Sequence, residues 1–110
     1  MDLLAVYTTV GSREAALKLA QAAVEGRLAA CVQITPIESV YAWQGALQQE
    51  AEFRLLFKTT QRAHDALVQA IRALHPYQLP ALYTLPVAAC TDEYRAWVID
   101  NTLAASDRPA

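Results

Sequence analysis

The chain has 110 residues, a formal net charge of -2, and 55% hydrophobic residues. This length fits one domain, and the hydrophobic fraction exceeds the ~45–50% of an average globular protein, so we expect self-association to cover surplus apolar surface. The chain offers no basic patch for nucleic acid, no signal-peptide pattern and no run near the roughly 20 apolar residues of a membrane span. We therefore expect a soluble, cytoplasmic protein that binds neither nucleic acid nor membranes.

The first strand and helix are marked clearly. Residues 3–10 are short, apolar and rich in β-branched side chains, which predicts a strand. Ser12 is a suitable N-cap for a helix over residues 13–25, because its hydroxyl can accept from a backbone N–H of the first turn. Gly26 is a natural end for that helix.

A long β-rich stretch follows, and the turn Gln44-Gly45 divides it into two arms, residues 31–44 and 46–60. The second arm alternates, with Phe53, Leu55 and Phe57 on the side expected to be buried. At ~3.3 Å per residue each arm reaches roughly 45–50 Å, whereas a globule of this size is only about 35 Å across. The arms must therefore bend sharply or project beyond the sheet.

A projecting hairpin exposes unpaired strand edges and the apolar side chains that it carries. Those side chains are Val40, Tyr41, Trp43 and Leu47. Monomeric proteins avoid such edges, so we expect the hairpin to extend the sheet of a neighbouring copy, with Pro36 bending the strand. The alternative is a loop at residues 35–39 that shortens the strand.

The second half repeats the order of helix and strand. We predict a helix over residues 61–75 that ends at Pro76, a strand over 81–88, and a Thr91-capped helix over 91–103. We expect Trp97 in the core. The resulting order, βαββαβ followed by a helix, predicts an α+β, ferredoxin-like fold with the first two helices on one face of an antiparallel sheet.

Several short motifs, taken together, resemble one family. They are Leu28-Ala29-Ala30-Cys31, Ser39-Val40-Tyr41-Ala42-Trp43-Gln44-Gly45, Lys58-Thr59, His75-Pro76-Tyr77 with Pro80, Leu85-Pro86-Val87, Tyr94 and Trp97. In this order and spacing, which covers about residues 3–99, they resemble the CutA divalent-cation tolerance proteins. The resemblance implies a single CutA-like domain over residues 1–110, and we expect the terminal residues 103–110 to be a frayed tail. It also implies a PII-like homotrimer of ferredoxin-like protomers.

The resemblance implies a role in tolerance of copper and other divalent metal ions. We expect Cu(II) or another divalent cation to be bound weakly, and we expect no organic cofactor. Some members carry a cysteine on the first strand and a second histidine before His-Pro-Tyr, where this sequence has Thr8 and Leu74. His75 and Cys31 are the soft ligands that remain as metal candidates. Nothing in the sequence brings a third ligand beside them.

The segment His75-Pro76-Tyr77 has two interpretations. In the structural one, His75 caps the end of a helix and Tyr77 packs its ring and hydrogen-bonds its hydroxyl. In the functional one, both side chains line a cleft between subunits. Lys58 likewise is either a solvated lysine or an anion-binding ammonium in that cleft, near Tyr41 and Trp43. The two aromatic residues either pack an interface or orient a small ligand.

Enzyme signatures are missing from the sequence, which has neither a glycine-rich phosphate loop nor a nucleophile elbow, so we expect no catalysis. A Cys31–His75 thiolate pair is disfavoured by the apolar surroundings of Cys31. Three hypotheses result. The first is a copper-binding trimer of the CutA type, the second a small-ligand sensor similar to PII proteins, and the third a docking platform without a ligand of its own.

Overall fold

Residues 2–103, which the computed structural model describes, form a four-stranded antiparallel sheet and three helices. The elements are β1 (Leu3–Val10), α1 (Arg13–Glu25), β2 (Cys31–Trp43), β3 (Ala46–Thr60), α2 (His64–Leu74), β4 (Leu82–Pro86) and α3 (Asp92–Asp100). The strands lie in the order β2-β3-β1-β4. The predicted α+β class with an antiparallel sheet is thereby confirmed. None of the three helices in this range is long and apolar enough to cross a membrane.

The hydrophobic core lies between one face of the sheet and the helices α1 and α2. Val6 of β1 and Leu55 and Phe57 of β3 are fully buried on that face. Leu19 of α1 and Leu67 of α2 pack against them. The alternation of β3 thus predicted its buried face correctly, since successive strand residues point to opposite sides of a sheet.

Helix α1 has the predicted boundaries. The Ser12 hydroxyl oxygen accepts from the backbone N–H of Ala15 at 3.1 Å, which satisfies a donor that the first turn leaves unpaired. Gly26 follows the last turn, but it is Arg27, with a φ of 56°, that takes up the left-handed conformation there. The backbone of Arg27 then accepts from the N–H of Leu103, the last described residue.

The hairpin of β2 and β3 projects beyond the rest of the sheet. β1 pairs with β3 only as far as Val10 opposite Phe53. β2 and β3 continue to pair as far as Trp43 opposite Ala46. Residues 37–52 therefore form a two-stranded ribbon with no third strand beside it, and the longest dimension of the described chain is 44 Å.

Strand β2 is continuous through Pro36, so the alternative of a loop at residues 35–39 is wrong. Pro36 pairs with Phe53, at the level where the ribbon begins. Proline is tolerated here because β2 is the outer strand of the sheet in one protomer, with nothing on its other side.

Three sequence predictions need correction. Trp97 is 46% exposed, because Val98 and not Trp97 is the residue of α3 that faces the core. Helix α2 begins at His64 and not at residue 61, since residues 61–63 form a turn in which the Thr60 hydroxyl accepts from the N–H of Ala63. The last two elements are shorter than predicted, with β4 at Leu82–Pro86 and α3 at Asp92–Asp100. The predicted tail after Leu103 lies outside the described residues.

Candidate functional site

A cavity of about 590 Å³ lies between the ribbon and the segment that joins α2 to β4. This volume falls in the range of ~300–1,000 Å³ that is typical of small-molecule sites. The side chains that give the cavity its chemical character are Tyr41, Trp43, Glu50, Glu52, Tyr77 and Leu79. Four of these six come from the ribbon, so the projecting hairpin is also what builds the cavity.

The register of the hairpin explains why these side chains meet. Tyr41 lies opposite Gln48, and Trp43 lies opposite Ala46. Since alternate residues of paired strands share a face, both aromatic rings lie on the same face as Glu50 and Glu52. This is the face opposite to α1 and α2, because Leu55 and Phe57 point the other way.

His75 anchors the segment that closes the cavity. Its backbone N–H donates to the Ile71 carbonyl at the end of α2, as a C-cap residue does. Its ring, however, turns away from the helix end, and Nε2 lies 3.0 Å from both the Thr9 carbonyl oxygen and the Thr8 hydroxyl. Nδ1 accepts from the Tyr77 N–H at 3.1 Å. The imidazole therefore does not cap the helix, as one interpretation predicted, but hydrogen-bonds to β1.

These contacts fix the protonation state of His75. Nδ1 faces an N–H and must accept, whereas Nε2 faces a carbonyl and must donate, so the neutral imidazole satisfies both partners. Burial lowers the pKa of His75, although the Thr9 carbonyl and the charge of Glu52 act in the opposite direction. A second proton on Nδ1 would point at the N–H of Tyr77.

Tyr77 connects this segment to the ribbon. Its hydroxyl donates to Oε2 of Glu52 at 2.9 Å, which confirms the hydrogen bond expected for the phenol. The ring fits there because Gly11 has no side chain; a Cβ at that position would lie 3.1 Å from the hydroxyl oxygen. Burial, followed by the hydrogen bond and charge of Glu52, raises the pKa of Tyr77, so the phenol keeps its proton.

The second phenol, Tyr41, is held in a similar way. Partial burial raises its pKa first, and a hydrogen bond to Glu50 and the charges of Glu50 and Glu52 raise it further. Both phenols are thus neutral donors that point at carboxylates. The charged side chains that line the cavity are the two glutamates, and no lysine or arginine of residues 2–103 is among its lining residues.

The structure does not bring Lys58 to this cavity. Lys58 lies six residues beyond Glu52 along β3, opposite Ala5 on one side and Cys31 on the other. Its Nζ is 5.4 Å from the ring centroid of Tyr94 on α3. Within one protomer Lys58 is therefore apart from Tyr41 and Trp43, and its predicted role in a cleft between subunits stays a prediction.

The residues also do not converge on a preformed metal site. Cys31 is a half-buried free thiol at the start of β2, two strands away from the β1 residues that hold His75. Over the part of the chain that the structure describes, no three histidine, cysteine, aspartate or glutamate side chains cluster as metal ligands. A copper ion bound tightly by one protomer does not fit these residues.

Sequence reasoning overlooked Glu50 and Glu52. The alternation of β3 assigned both to a solvated face, yet Glu52 is only 7% exposed. The signal that could have identified them is the turn Gln44-Gly45, since counting the register outward from it places the glutamates on the same face as the two aromatic rings.

Comparison with known proteins shows where this architecture recurs. The family profile described as CutA1 divalent ion tolerance protein matches residues 4–101. The chain belongs to the CutA1 family. The "Divalent-cation tolerance protein CutA" of Thermus thermophilus is 46% identical over 98 residues, which is 88% of this chain and 95% of that protein.

Other relatives extend the comparison. The "Protein CutA, chloroplastic" of Arabidopsis thaliana is 42% identical over 90% of this chain, which spans about half (55%) of the plant protein. The solved structure of CutA from Synechococcus elongatus is 48% identical, with a TM-score of 0.89 over 91% of this chain and 89% of that chain. The protein is thus a CutA family divalent-cation tolerance protein, and the resemblance noted in the sequence is confirmed.

The three ring contacts of His75, with Thr8, Thr9 and Tyr77, predict a pH dependence of stability in this CutA protein. Because folding lowers the pKa of His75, the unfolded chain takes up the proton first as the pH falls below about 6.5. The contribution of His75 to the free energy of unfolding is therefore complete above that pH and is lost as the pH falls toward the lower pKa of the folded state.

Urea unfolding at several pH values between 7.5 and 5 measures this effect. We expect His75→Gln to be less stable than the parent at pH 7.5 and to approach it at pH 5. His64→Gln is the matched control, since His64 is the chain's other histidine and also uses both ring nitrogens, toward Asp65 and Thr84. A parent-minus-variant difference that stays constant with pH for His75→Gln would contradict this assignment.

Proposed function

We propose that this protein serves divalent-cation tolerance as a cytoplasmic homotrimer of ferredoxin-like protomers, and that it binds copper only weakly and acts without catalysis. Membership of the CutA1 family supports the role in tolerance. The strand order β2-β3-β1-β4, with a helix in each crossover, supports the ferredoxin-like protomer.

The exposed ribbon at residues 37–52 is the observation that most strongly supports the proposed trimer. Val40 is 64% exposed and Leu47 78% exposed in the single chain, on a ribbon that no third strand covers. Tyr83 and Leu85 of β4 add further exposed apolar surface at the other edge of the sheet. Apolar surface and long unpaired edges of this kind are ordinarily covered by a partner.

The hydrogen bonds at both ring nitrogens of His75 support weak copper binding. A metal ion at either ring nitrogen must displace a partner, the Tyr77 N–H at Nδ1 or the Thr9 carbonyl and Thr8 hydroxyl at Nε2. Cys31 lies elsewhere in the sheet and cannot compensate within the same protomer. One imidazole that gives up a hydrogen bond makes a weak ligand set.

A copper titration tests this proposal. We expect isothermal titration with Cu(II) to give a dissociation constant above about 1 μM. The signal should disappear in His75→Gln and persist in His64→Gln. Native mass spectrometry of the same samples should find three chains per particle with and without the metal.

Two outcomes speak against the proposal. Nanomolar, stoichiometric Cu(II) binding by the parent protein would contradict weak binding. Loss of the signal in His64→Gln but not in His75→Gln would show that the metal binds His64 and not His75.

A second candidate function, sensing of a small molecule as in PII proteins, is favoured by the cavity beneath the ribbon. Its volume and its mixed aromatic and carboxylate lining are typical of a ligand site. A docking platform with no ligand of its own would not need this lining. This candidate is compatible with the trimer and with weak copper binding.

A further inference from the structure

We propose that the cavity beneath the ribbon binds a small organic cation, an alkylammonium or quaternary ammonium group on a short carbon skeleton. This inference rests on the second candidate function, a ligand-binding cavity, and adds the chemical class of the ligand. It differs from the small anion that Lys58 suggested in the sequence.

The buried carboxylate of Glu52 is the first argument. Glu52 is more than nine-tenths buried, and its Oε2 accepts a hydrogen bond from the neutral phenol of Tyr77. No lysine or arginine of residues 2–103 lines the cavity beside Glu52. Buried carboxylates are ordinarily matched by a cation, because desolvation of an unpaired charge is unfavourable. The cavity beside Glu52 offers room for that cation.

The aromatic side chains are the second argument. Trp43, Tyr41 and Tyr77 all line the same cavity as Glu50 and Glu52. The face of an aromatic ring carries partial negative charge, and several rings around a cation make the cage that recognises ammonium groups. Aromatic rings combined with carboxylates select a cation that also carries apolar surface.

The other ligand classes fit less well. A phosphate or carboxylate would meet two glutamates, and no basic side chain of residues 2–103 lines the cavity to attract it. A bare Mg²⁺ or Ca²⁺ ion requires about six oxygen ligands, and no cluster of even three candidate metal ligands occurs among the described residues. The cavity of about 590 Å³ is also far larger than an ion needs.

Choline and its uncharged carbon isostere, dimethylbutanol, form a matched pair of probes. The two molecules have nearly the same shape and differ in the positive charge. We expect isothermal titration of the intact protein to detect choline, with dimethylbutanol bound at least about tenfold more weakly. Inorganic phosphate should give no binding signal.

Two variants locate the site, each with a control from the same chain. Glu52→Gln keeps an acceptor for Tyr77 and removes the charge, so we expect choline affinity to fall by roughly tenfold or more. Glu14→Gln, on the exposed face of α1, should leave it unchanged. Trp43→Leu should weaken choline binding similarly, whereas Trp97→Leu, at nearly equal exposure on α3, should not. Circular dichroism and the native mass verify that each variant folds and assembles.

Four results would overturn the inference. Equal affinity for choline and dimethylbutanol would show that the cavity binds a ligand without selecting for its positive charge. Phosphate binding without choline binding would show that the cavity prefers anions to cations. The absence of a signal with all three probes would overturn this inference, while a ligand of another chemical class could still occupy the cavity. Loss of the trimer in Glu52→Gln, with no choline binding by the parent, would show that a neighbouring copy supplies the cation.

Discussion

Replacing Val40 and Leu47 together by lysine will convert the proposed trimer into monomers while leaving the core of each protomer folded. Both side chains are largely exposed in the single chain, so they contribute little to the protomer itself. In the proposed trimer they are covered by a neighbouring copy, where two ammonium groups without partners are strongly unfavourable. The change therefore separates the stability of the assembly from that of the fold.

Sedimentation velocity and thermal unfolding at one fixed protein concentration measure this change, because the apparent stability of an oligomer depends on concentration. We expect the parent to melt above the ~45–65 °C typical of mesophilic domains, and the double variant to sediment as a monomer and melt within or below that range.

Val24→Lys is the control for the hairpin variant, since Val24 is an exposed apolar residue on α1, away from the ribbon. It should remain trimeric with an unchanged melting temperature. A double variant at Val40 and Leu47 that stays trimeric would exclude this surface from the interface.

Phe57→Ala will lower the free energy of unfolding by about 3–5 kcal/mol per protomer. Phe57 is fully buried on β3, in the layer between the sheet and the two helices. Its removal leaves a cavity among Val6, Leu55 and Leu67, side chains held in place by three different elements. The surroundings can collapse only partly, which places the loss in the upper part of the range for core truncations.

Urea unfolding by circular dichroism, again at fixed protein concentration, gives the comparison. Val24→Ala, which shortens an exposed side chain, should change the free energy of unfolding by less than about 0.5 kcal/mol. A loss below about 1 kcal/mol for Phe57→Ala would mean that the layer formed by β3, α1 and α2 is not the main core.

The parts of the fold that the sequence predicted correctly depend on short-range patterns. The alternation through Leu55 and Phe57 identified the buried face of β3, and Ser12 marked the start of α1. The turn Gln44-Gly45 set the hairpin register, with Gly45 at a φ of 79°. Each of these signals involves residues close together in the chain, where local geometry decides the outcome.

The errors arose where neighbours distant in sequence decide the outcome. Helix α3 has only nine residues, and its pattern could not tell whether Trp97 or Val98 would be covered. In the structural interpretation the imidazole of His75 caps the end of its own helix, but two acceptors on β1, more than 60 residues earlier, hold the ring instead.

The candidate site was predicted in part. The sequence offers Tyr41, Trp43 and Tyr77 either as packing residues or as the lining of a cleft between subunits, and the structure brings all three to one cavity within a protomer. The cleft between subunits itself stays a prediction. Glu52 was missed because burial by Tyr77, 25 residues later, is not visible in the alternation of β3. Lys58, which one of two interpretations placed in a cleft between subunits, lies six residues beyond Glu52 along β3, roughly 20 Å away within one protomer, so that role stays a prediction.

Sedimentation equilibrium of the unmodified protein at low micromolar concentration tests most directly whether the ribbon of residues 37–52 is built to be covered by other copies of the chain. We predict a single species of three times 12.1 kDa, about 36 kDa, with no monomer detectable. A stable, folded species of 12.1 kDa at that concentration would contradict the account, because its exposed ribbon would then need no partner.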